Sequence, residues 1–186
     1  LDVTASSTTD VTVDVLVVGI GILSGAGADV ELLVQGEVEA FLDPGATPDL
    51  SAAIDVSGAV NVTATSDDTA YANTEGGAGG AVSVSVMYAA ATNEVETRAY
   101  VGDDAGLSVG SLSMTATAAD RDSEAEVVVG SGGVLAGAGG TTDALSSGTI
   151  EAYVGAVFFC DGTRRVRLSA QSRRSSAQGN SEGGSG

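Results

Sequence analysis

The chain repeats itself at intervals of 50 to 60 residues, and this limits its fold more than any other feature. The phrase DVTASS at residues 2–7 returns as NVTATS at 61–66 and as SMTATA at 113–118, which lie 59 and then 52 residues further on. A weaker fourth copy, LSAQS, begins at residue 168. Repeated units of this kind cannot bury their apolar faces alone, and they do so by stacking on their neighbours. The repeat therefore predicts a stacked architecture.

A second phrase recurs at nearly the same intervals as the first. It reads EAFL at residues 39–42, RAYV at 98–101 and EAYV at 151–154, and a glycine-rich break separates the two phrases in each unit. The breaks lie at 19–27, 76–80 and 130–140. Three features in the same order define a repeat body at 1–162, with units of about 1–59, 60–111 and 112–162.

Each unit is predicted to consist of β-strands. Apolar and small polar residues alternate at 11–15, 60–65 and 81–86, which is typical of a strand with one buried face. Helix signals are poor, because the 27 glycines and the many β-branched residues disfavour helices. We predict an all-β fold, a parallel β-helix-like solenoid of three repeats with long strands and glycine-rich turns. The small residues favour one broad coil per repeat over several narrow ones. An antiparallel β-sandwich is the alternative, since such strands and Gly-Gly turns also suit hairpins.

The charge distribution limits the partners. The chain carries 25 acidic residues against seven arginines, and its net charge is −18. An acidic body disfavours nucleic acid and anionic membrane surfaces, and no apolar run of 18 residues spans a membrane. We expect no nucleic acid partner and no direct membrane insertion. The expected partners are adjacent repeats of the same or identical chains, stacked end to end. Residues 163–186 contain five of the arginines and are rich in Ser and Gly, so we expect them to be at least partly disordered.

Stacked units would align equivalent side chains in columns about 4.8 Å apart. The sequence predicts two columns with structural roles, an aromatic one and one of alternating charge: Phe41, Tyr100 and Tyr153; Glu39, Arg98 and Glu151. Opposite charges on adjacent strands attract each other. A carbohydrate-binding platform is the functional alternative for the aromatic column, and it requires exposed rings.

Residues that could carry chemistry are few. Two aspartate pairs are weak calcium candidates, although their spacing matches no calcium loop, and solvated turn charges are the alternative: Asp67, Asp68, Asp103 and Asp104. The chain has no histidine, which excludes a Ser-His-Asp triad, and Cys160 sits in an apolar run with no imidazole to activate it. We expect no enzyme, and no cofactor other than calcium at these aspartates.

The phrases at 62–66, 76–80 and 98–105 resemble the repeats of large bacterial secreted adhesins of the filamentous-haemagglutinin-like and leukotoxin-like kind. The resemblance covers about residues 1–155 and departs after Gly155, where Phe158-Phe159-Cys160 follows in place of a Gly-Asp-Asp turn. It implies a secreted or cell-surface β-solenoid that serves as a stalk or fibre body, and it assigns no catalytic or binding residue. A self-assembling extracellular fibre subunit is the alternative, and a calcium- or carbohydrate-binding module is a third function.

Overall fold

The computed structural model describes residues 1–43, 54–103, 105–155, 159–161 and 165–185. The described chain consists of strands joined by short turns. The strands are β1 (Asp2–Ile20), β2 (Leu23–Leu42), β3 (Ile54–Gly79), β4 (Val82–Val101), β5 (Gly106–Gly132), β6 (Leu135–Ser147), β7 (Ile150–Val154), β8 (Phe159–Asp161), β9 (Val166–Ser172) and β10 (Ser176–Ser185). Within these residues no helix is long and apolar enough to cross a membrane.

The strands form two parallel sheets. Sheet A has the order β1-β3-β5-β10, and β8 and β9 also pair with β5. Sheet B has the order β2-β4-β6, and β7 pairs with β4. Each repeat thus contributes one strand to sheet A and the next to sheet B, which makes one broad coil per repeat. The predicted all-β, parallel solenoid is confirmed, and the parallel pairing excludes the antiparallel sandwich.

The pairing register matches the repeat phrases. Val3 is paired with Val62, Val62 with Met114, and Met114 with Leu168, so the weak fourth copy also aligns. The strands extend into the glycine-rich breaks, because the backbone of these segments continues the pairing up to the turn. β3 and β5 also begin before residues 60 and 112, at Ile54 and Gly106.

The C-terminal segment forms strands at the edge of sheet A. The sequence predicts partial disorder for residues 163–186, whereas the structure places 166–172 and 176–185 in β9 and β10, both paired with β5. The physical reason is that the free edge of β5 offers a row of backbone donors and acceptors, which an exposed polar segment can satisfy without joining a core.

The core lies between the sheets and is built mainly from small residues. Alternate residues of β3 and β4 are buried, and many of them are alanine, valine or serine. The largest fully buried apolar side chains are Met87, Leu107, Leu112 and Met114. Small side chains let the two sheets pack closely over their whole length.

A β-bulge in β5 changes which residues face the core. The pairing of β3 with β5 shifts by one between Ser66–Ala118 and Asp68–Arg121. The extra residue on β5 reverses the alternation of side chains beyond it. As a result Ala118 and Arg121 both point inward, and Arg121 lies beside Asp68.

Candidate functional site

The aromatic column lies on the outer face of sheet B. β2, β4 and β7 place Phe41, Tyr100 and Tyr153 in adjacent positions. The Phe41 and Tyr100 ring centroids are 5.2 Å apart with 10° between the ring planes, and those of Tyr100 and Tyr153 are 5.0 Å apart with parallel planes. Phe41 and Tyr153 are 46% and 40% exposed. Because the rings stack face to face, both faces of Tyr100 are covered, and the ring edges point to solvent. The stack joins coil to coil, and the terminal rings of Phe41 and Tyr153 each keep one face that the column does not cover.

The charge column is a cluster around one arginine. Arg98 of β4 lies between Glu39 of β2 and Glu151 of β7, at 3.5 Å and 3.3 Å. It also forms ion pairs with Glu37 and Glu96. Burial alone would lower the pKa of Arg98, but the carboxylates, Glu96 and Glu37 foremost, raise it above its ordinary value. One cation therefore ties three coils together and holds four like charges in place.

A buried charge pair lies between the sheets, and the sequence reasoning missed it. Asp68 is 1% exposed and Arg121 is 4% exposed. Arg121 starts on sheet A and reaches sheet B, where it donates hydrogen bonds to the carbonyl oxygens of Val95 at 2.7 Å and Gly148 at 3.2 Å. Among the described residues neither carboxylate oxygen of Asp68 has a hydrogen-bond partner of good geometry.

Burial shifts both groups of the pair toward their neutral forms. It raises the pKa of Asp68 above its ordinary value of 3.8, and the hydroxyls of Ser66 and Thr9 and the charge of Arg121 only partly oppose this. Burial likewise lowers the pKa of Arg121, against the influence of Asp68. Desolvation therefore outweighs the attraction between the two charges.

Hydrogen bonds around the pair cross from one sheet to the other. Thr97 donates from its hydroxyl to the hydroxyl oxygen of Ser66 at 2.9 Å, and Asn93 donates to the carbonyl oxygen of Asp68 at 2.9 Å. In the third coil the hydroxyl of Ser123 donates to the carbonyl oxygen of Leu145 at 2.7 Å, and that of Ser146 donates to the carbonyl oxygen of Arg121 at 2.9 Å. We call this set the polar seam: Ser66, Asp68, Asn93, Thr97, Arg121, Ser123 and Ser146. It fixes how the two sheets are placed against each other.

A signal for the seam is present in the sequence. If alternate residues are counted inward from Val62, Asp68 falls on the buried face of its strand. The same count does not predict that Arg121 is buried, because the bulge reverses the alternation just before it. The position of Asp68 in the alternation, rather than its residue type, therefore predicts that its side chain is buried.

The calcium candidates are separated by the fold. Asp67 and Asp68 are consecutive in β3, so Asp67 faces outward and Asp68 faces the core. They cannot converge on one ion. Asp103 lies in the exposed turn after β4, and Asp104 is outside the described residues. In the described ranges no group of three or more Cys, Asp and Glu side chains is placed to hold a metal ion. Cys160 lies in β8, where its backbone pairs with that of Leu107.

The two ends of the solenoid differ in charge and in shape. In the described chain β1 and β2 each pair with one neighbour, β3 and β4, so both sheets end in an open strand edge. β1 carries three aspartates, and four arginines lie at 165–174 around β9. Sheet A also extends one row beyond sheet B, because β9 and β10 follow β5 while β6 and β7 end sheet B.

Comparisons with known proteins add no family to this geometry. No protein-family model, curated protein or solved structure matches the chain.

Proposed function

We propose that the chain is a non-enzymatic structural segment, the stalk or body of an extracellular bacterial adhesin that is secreted or held at the cell surface. The observation that carries the proposal is the register of the coils. Three coils stack with matching residues aligned along strands of about 20 residues, and one column of rings and one of charges join them. Such stacking favours a stiff body.

The dimensions of a coil support a body that is broad rather than long. Each coil uses 52 to 59 residues, as the register offsets give, and adds only about 4.8 Å along the solenoid axis. The polar seam braces the sheets across the gap, and the Arg98 cluster braces the coils along the axis. The acidic surface keeps neighbouring bodies apart.

The extracellular setting of the proposal rests on the repeat phrases. The segments at 62–66, 76–80 and 98–105 resemble those of large secreted adhesins. In the structure the first segment lies within β3, residues 76–79 form the end of β3 just before the turn to sheet B, and residues 98–101 form the end of β4. They are the parts that build a coil, so the resemblance concerns architecture.

A self-assembling fibre subunit is the second candidate, and the opposite charges of the two ends favour it. Arg167 stands in the same column as Asp2, so a second copy stacked end to end would bring an aspartate next to this arginine. The uneven ends oppose this arrangement. If β1 of a second copy paired with β9 and β10 at the end of sheet A, its β2 would lie one row beyond the end of sheet B. It could not pair with β6 and β7 there.

Electron microscopy of the purified chain, together with small-angle X-ray scattering, tests the proposal. We expect discrete, stiff particles with a longest dimension of roughly 90 Å, from strands of up to 27 residues at about 3.3 Å each. Long filaments would support the fibre subunit and overturn the stalk. Labelling of intact source cells with an antibody against the repeat body checks the extracellular setting. Signal only after lysis would contradict it.

A further inference from the structure

The end of the solenoid at β9 and β10 has the shape of a step. Sheet A ends there in a fourth row, formed by β8, β9 and β10, whereas sheet B ends in its third row, formed by β6 and β7. We call these the higher row and the lower row of the step. In the described chain each of these strands pairs with one neighbour, so both rows present unpaired backbone donors and acceptors along their free edges.

The two rows of the step carry opposite charges. Residues 165–185 of the higher row contain four arginines against one glutamate: Arg165, Arg167, Arg173 and Arg174, and Glu182. The lower row contains two carboxylates and no arginine: Asp143 and Glu151. A higher row therefore attracts a lower row, and two rows of the same kind repel each other.

An acidic depression lies on the outer face of sheet B beside the lower row. Its volume is about 420 Å³, and its lining includes Glu37, Glu94 and Glu96. Arg98 forms ion pairs with Glu37 and Glu96, while Glu94 accepts a hydrogen bond from the neutral amide of Gln35 at 2.9 Å. Three carboxylates thus surround one cation, and the depression keeps an excess of negative charge.

We propose that two copies of this chain pair through their steps, about a two-fold axis that runs parallel to the strands and midway between the sheets. The rotation places the higher row of each copy against the lower row of the other. Each sheet then continues through seven rows, four from one copy and three from its partner. Because the strands of sheet A and sheet B run in opposite directions, the new pairing is antiparallel. The inference goes beyond the proposed function, since it concerns the end of the body and not the stacking of its coils.

The shape of the step selects this axis. A two-fold axis perpendicular to the sheets would bring the two higher rows together and leave a gap of two rows in sheet B. With the axis parallel to the strands, the step of one copy fills the step of the other, which is the self-complementarity that a two-fold contact requires.

Charge selects this end of the solenoid over the other one. At the opposite end β1 and β2 carry seven carboxylates and no arginine: Asp2, Asp10, Asp14, Asp29, Glu31, Glu37 and Glu39. Two such ends repel each other. The arginines of the higher row make the step the end at which two copies of this acidic chain repel each other least.

In the pair, Arg174 reaches the acidic depression of the partner. Ser175 follows Arg174 in the link between β9 and β10, and its hydroxyl donates to the hydroxyl oxygen of Ser146 at 3.2 Å across the gap between the sheets. Rotation about an axis parallel to the strands keeps this level, so the link lies beside the same part of β6 in the partner. The partner's Glu94 is then two strand spacings away, roughly 10 Å. A serine and a glycine that line the depression lie between them, and these small residues leave the path open for the two side chains to meet.

The contact is large enough for a stable pair. With seven residues in β9 and ten in β10, the higher row is about 55 Å long at about 3.3 Å per residue. The sheets lie about 10 Å apart and the outward side chains add to this width, so the contact covers on the order of 1,000 Å² per copy. A standard stable interface uses about 800 Å² per partner.

Sedimentation velocity of the purified chain, over a concentration series from the micromolar to the millimolar range, tests the inference. We expect the average mass to rise to that of a dimer and to stop there, because a two-fold contact closes on itself. End-to-end stacking has no such limit, so continued growth distinguishes it from pairing through the steps.

Charge reversals on the two sides of the contact provide matched variants. Arg174→Glu and Glu94→Arg each place like charges together at both symmetric contacts, and we expect each variant alone to pair about tenfold more weakly or worse. An equal mixture of the two should recover the affinity of the wild type. In a mixed pair one contact has both charges reversed and the other is wild type, so opposite charges meet at both.

The control variant carries its added charge at the other end of the solenoid. Thr4→Glu with Ser6→Glu changes the net charge by the same amount as Arg174→Glu, at exposed positions of β1. We expect this variant to pair like the wild type. Far-UV circular dichroism of all variants checks that they are folded.

Three outcomes would overturn the inference. A chain that stays monomeric at every concentration would leave the edges of the step to an extended segment of another protein. A mixture that pairs no better than either variant alone would exclude the contact between Arg174 and Glu94, and growth beyond a dimer would exclude a closed pair. The monomer would leave the proposed stalk intact, whereas growth into filaments would contradict the stalk as well.

Discussion

Asp68 and Arg121 are paired neighbours on β3 and β5, and both point into the space between the two sheets. The arginine spans that space and bonds to sheet B, while the aspartate stays on sheet A without a good hydrogen bond from the described residues. The bonds of Arg121 to Val95 and Gly148 therefore join the two sheets. Because Arg121 is buried, the loss of these hydrogen bonds is not compensated by water.

Replacement of Arg121 by Met should therefore destabilise the fold strongly. The change removes the donors to Val95 and Gly148, together with the cation whose charge opposes the raised pKa of Asp68. At about 1.5–3 kcal/mol for each hydrogen bond of a charged group, we expect a loss of about 3–5 kcal/mol in the free energy of unfolding, measured with guanidinium by far-UV circular dichroism. The double variant Asp68→Asn with Arg121→Met should recover part of this loss.

Arg174 provides the control for that measurement. It is an exposed arginine, 3.6 Å from Asp120. Exposed ion pairs contribute about 0–1 kcal/mol, so Arg174→Met should change the midpoint little. Equal effects of the two substitutions would show that the interior pair has no special role.

The raised pKa of Asp68 predicts a specific pH dependence. In the folded chain the pKa lies above its ordinary value of 3.8, so the folded state holds the proton more tightly than the unfolded state. The resulting stabilisation is complete below the ordinary value and is lost as the pH rises through the folded pKa. We expect the wild type to lose stability relative to Asp68→Asn over this interval.

Unfolding midpoints of the two proteins in an acid pH series measure this difference. The exposed carboxylates are common to both proteins, so their contributions cancel in the comparison. A difference that stays constant with pH, or one that favours the wild type as the pH rises, would contradict the raised pKa.

Much of the fold could be predicted from the repeat phrases, for a physical reason. Parallel strands exchange hydrogen bonds evenly, so identical phrases stack in register, as Val3, Val62 and Met114 do. The same rule predicts that Phe41, Tyr100 and Tyr153 form one column, and the structure confirms it. The glycine-rich breaks at 76–80 and 130–140 do not mark the strand ends, because the backbone pairing continues to Gly79 in β3 and to Gly132 in β5.

The bulge and the C-terminal strands depend on information that the phrases do not contain. The offset between units changes from 52 to 53 between Ser113 and Arg121, but the position of the extra residue follows from packing between the sheets. β9 and β10 carry few apolar residues. They form strands because their backbones pair with the edge of β5, and not because they bury a core. Composition alone therefore predicts disorder there.

The central ring of the aromatic column should contribute more than a terminal one. Tyr100 stacks on both Phe41 and Tyr153, while Tyr153 stacks on one ring of the column. At about 0.5–1.5 kcal/mol for each aromatic pair, Tyr100→Ala should lose roughly twice the pair energy of Tyr153→Ala. Guanidinium unfolding of both variants measures it. A larger effect for Tyr153→Ala would contradict the column as a source of stability.

Replacement of Arg98 by Gln should make the stability depend on salt. Without the guanidinium, Glu37, Glu39, Glu96 and Glu151 face one another without a counter-charge. We expect a lower thermal midpoint than the wild type at low salt. The gap should shrink as salt is added, because the Debye length falls to about 3 Å at 1 M. Thermal unfolding in a salt series measures both effects, and a gap that is independent of salt would mean that Arg98 acts through packing.

The turn between β6 and β7 should not tolerate a side chain at Gly148. This glycine has φ of +121°, and a Cβ there would lie 2.3 Å from the carbonyl oxygen of Val95, the same oxygen that Arg121 bonds. Such a backbone conformation costs a residue with a side chain about 1–3 kcal/mol before the clash is counted. We expect Gly148→Ala to be destabilised by at least that much in guanidinium unfolding.

Gly139→Ala is the matched control, since Gly139 is exposed in the interior of β6 and a Cβ there would meet no atom within 4 Å. Alanine in a strand interior is favoured over glycine by about 0.5–1 kcal/mol, so this variant should be unchanged or slightly more stable. If Gly148→Ala unfolded at the same midpoint as Gly139→Ala, the backbone at Gly148 would have to be free to move, and Arg121 would lose a fixed acceptor on sheet B.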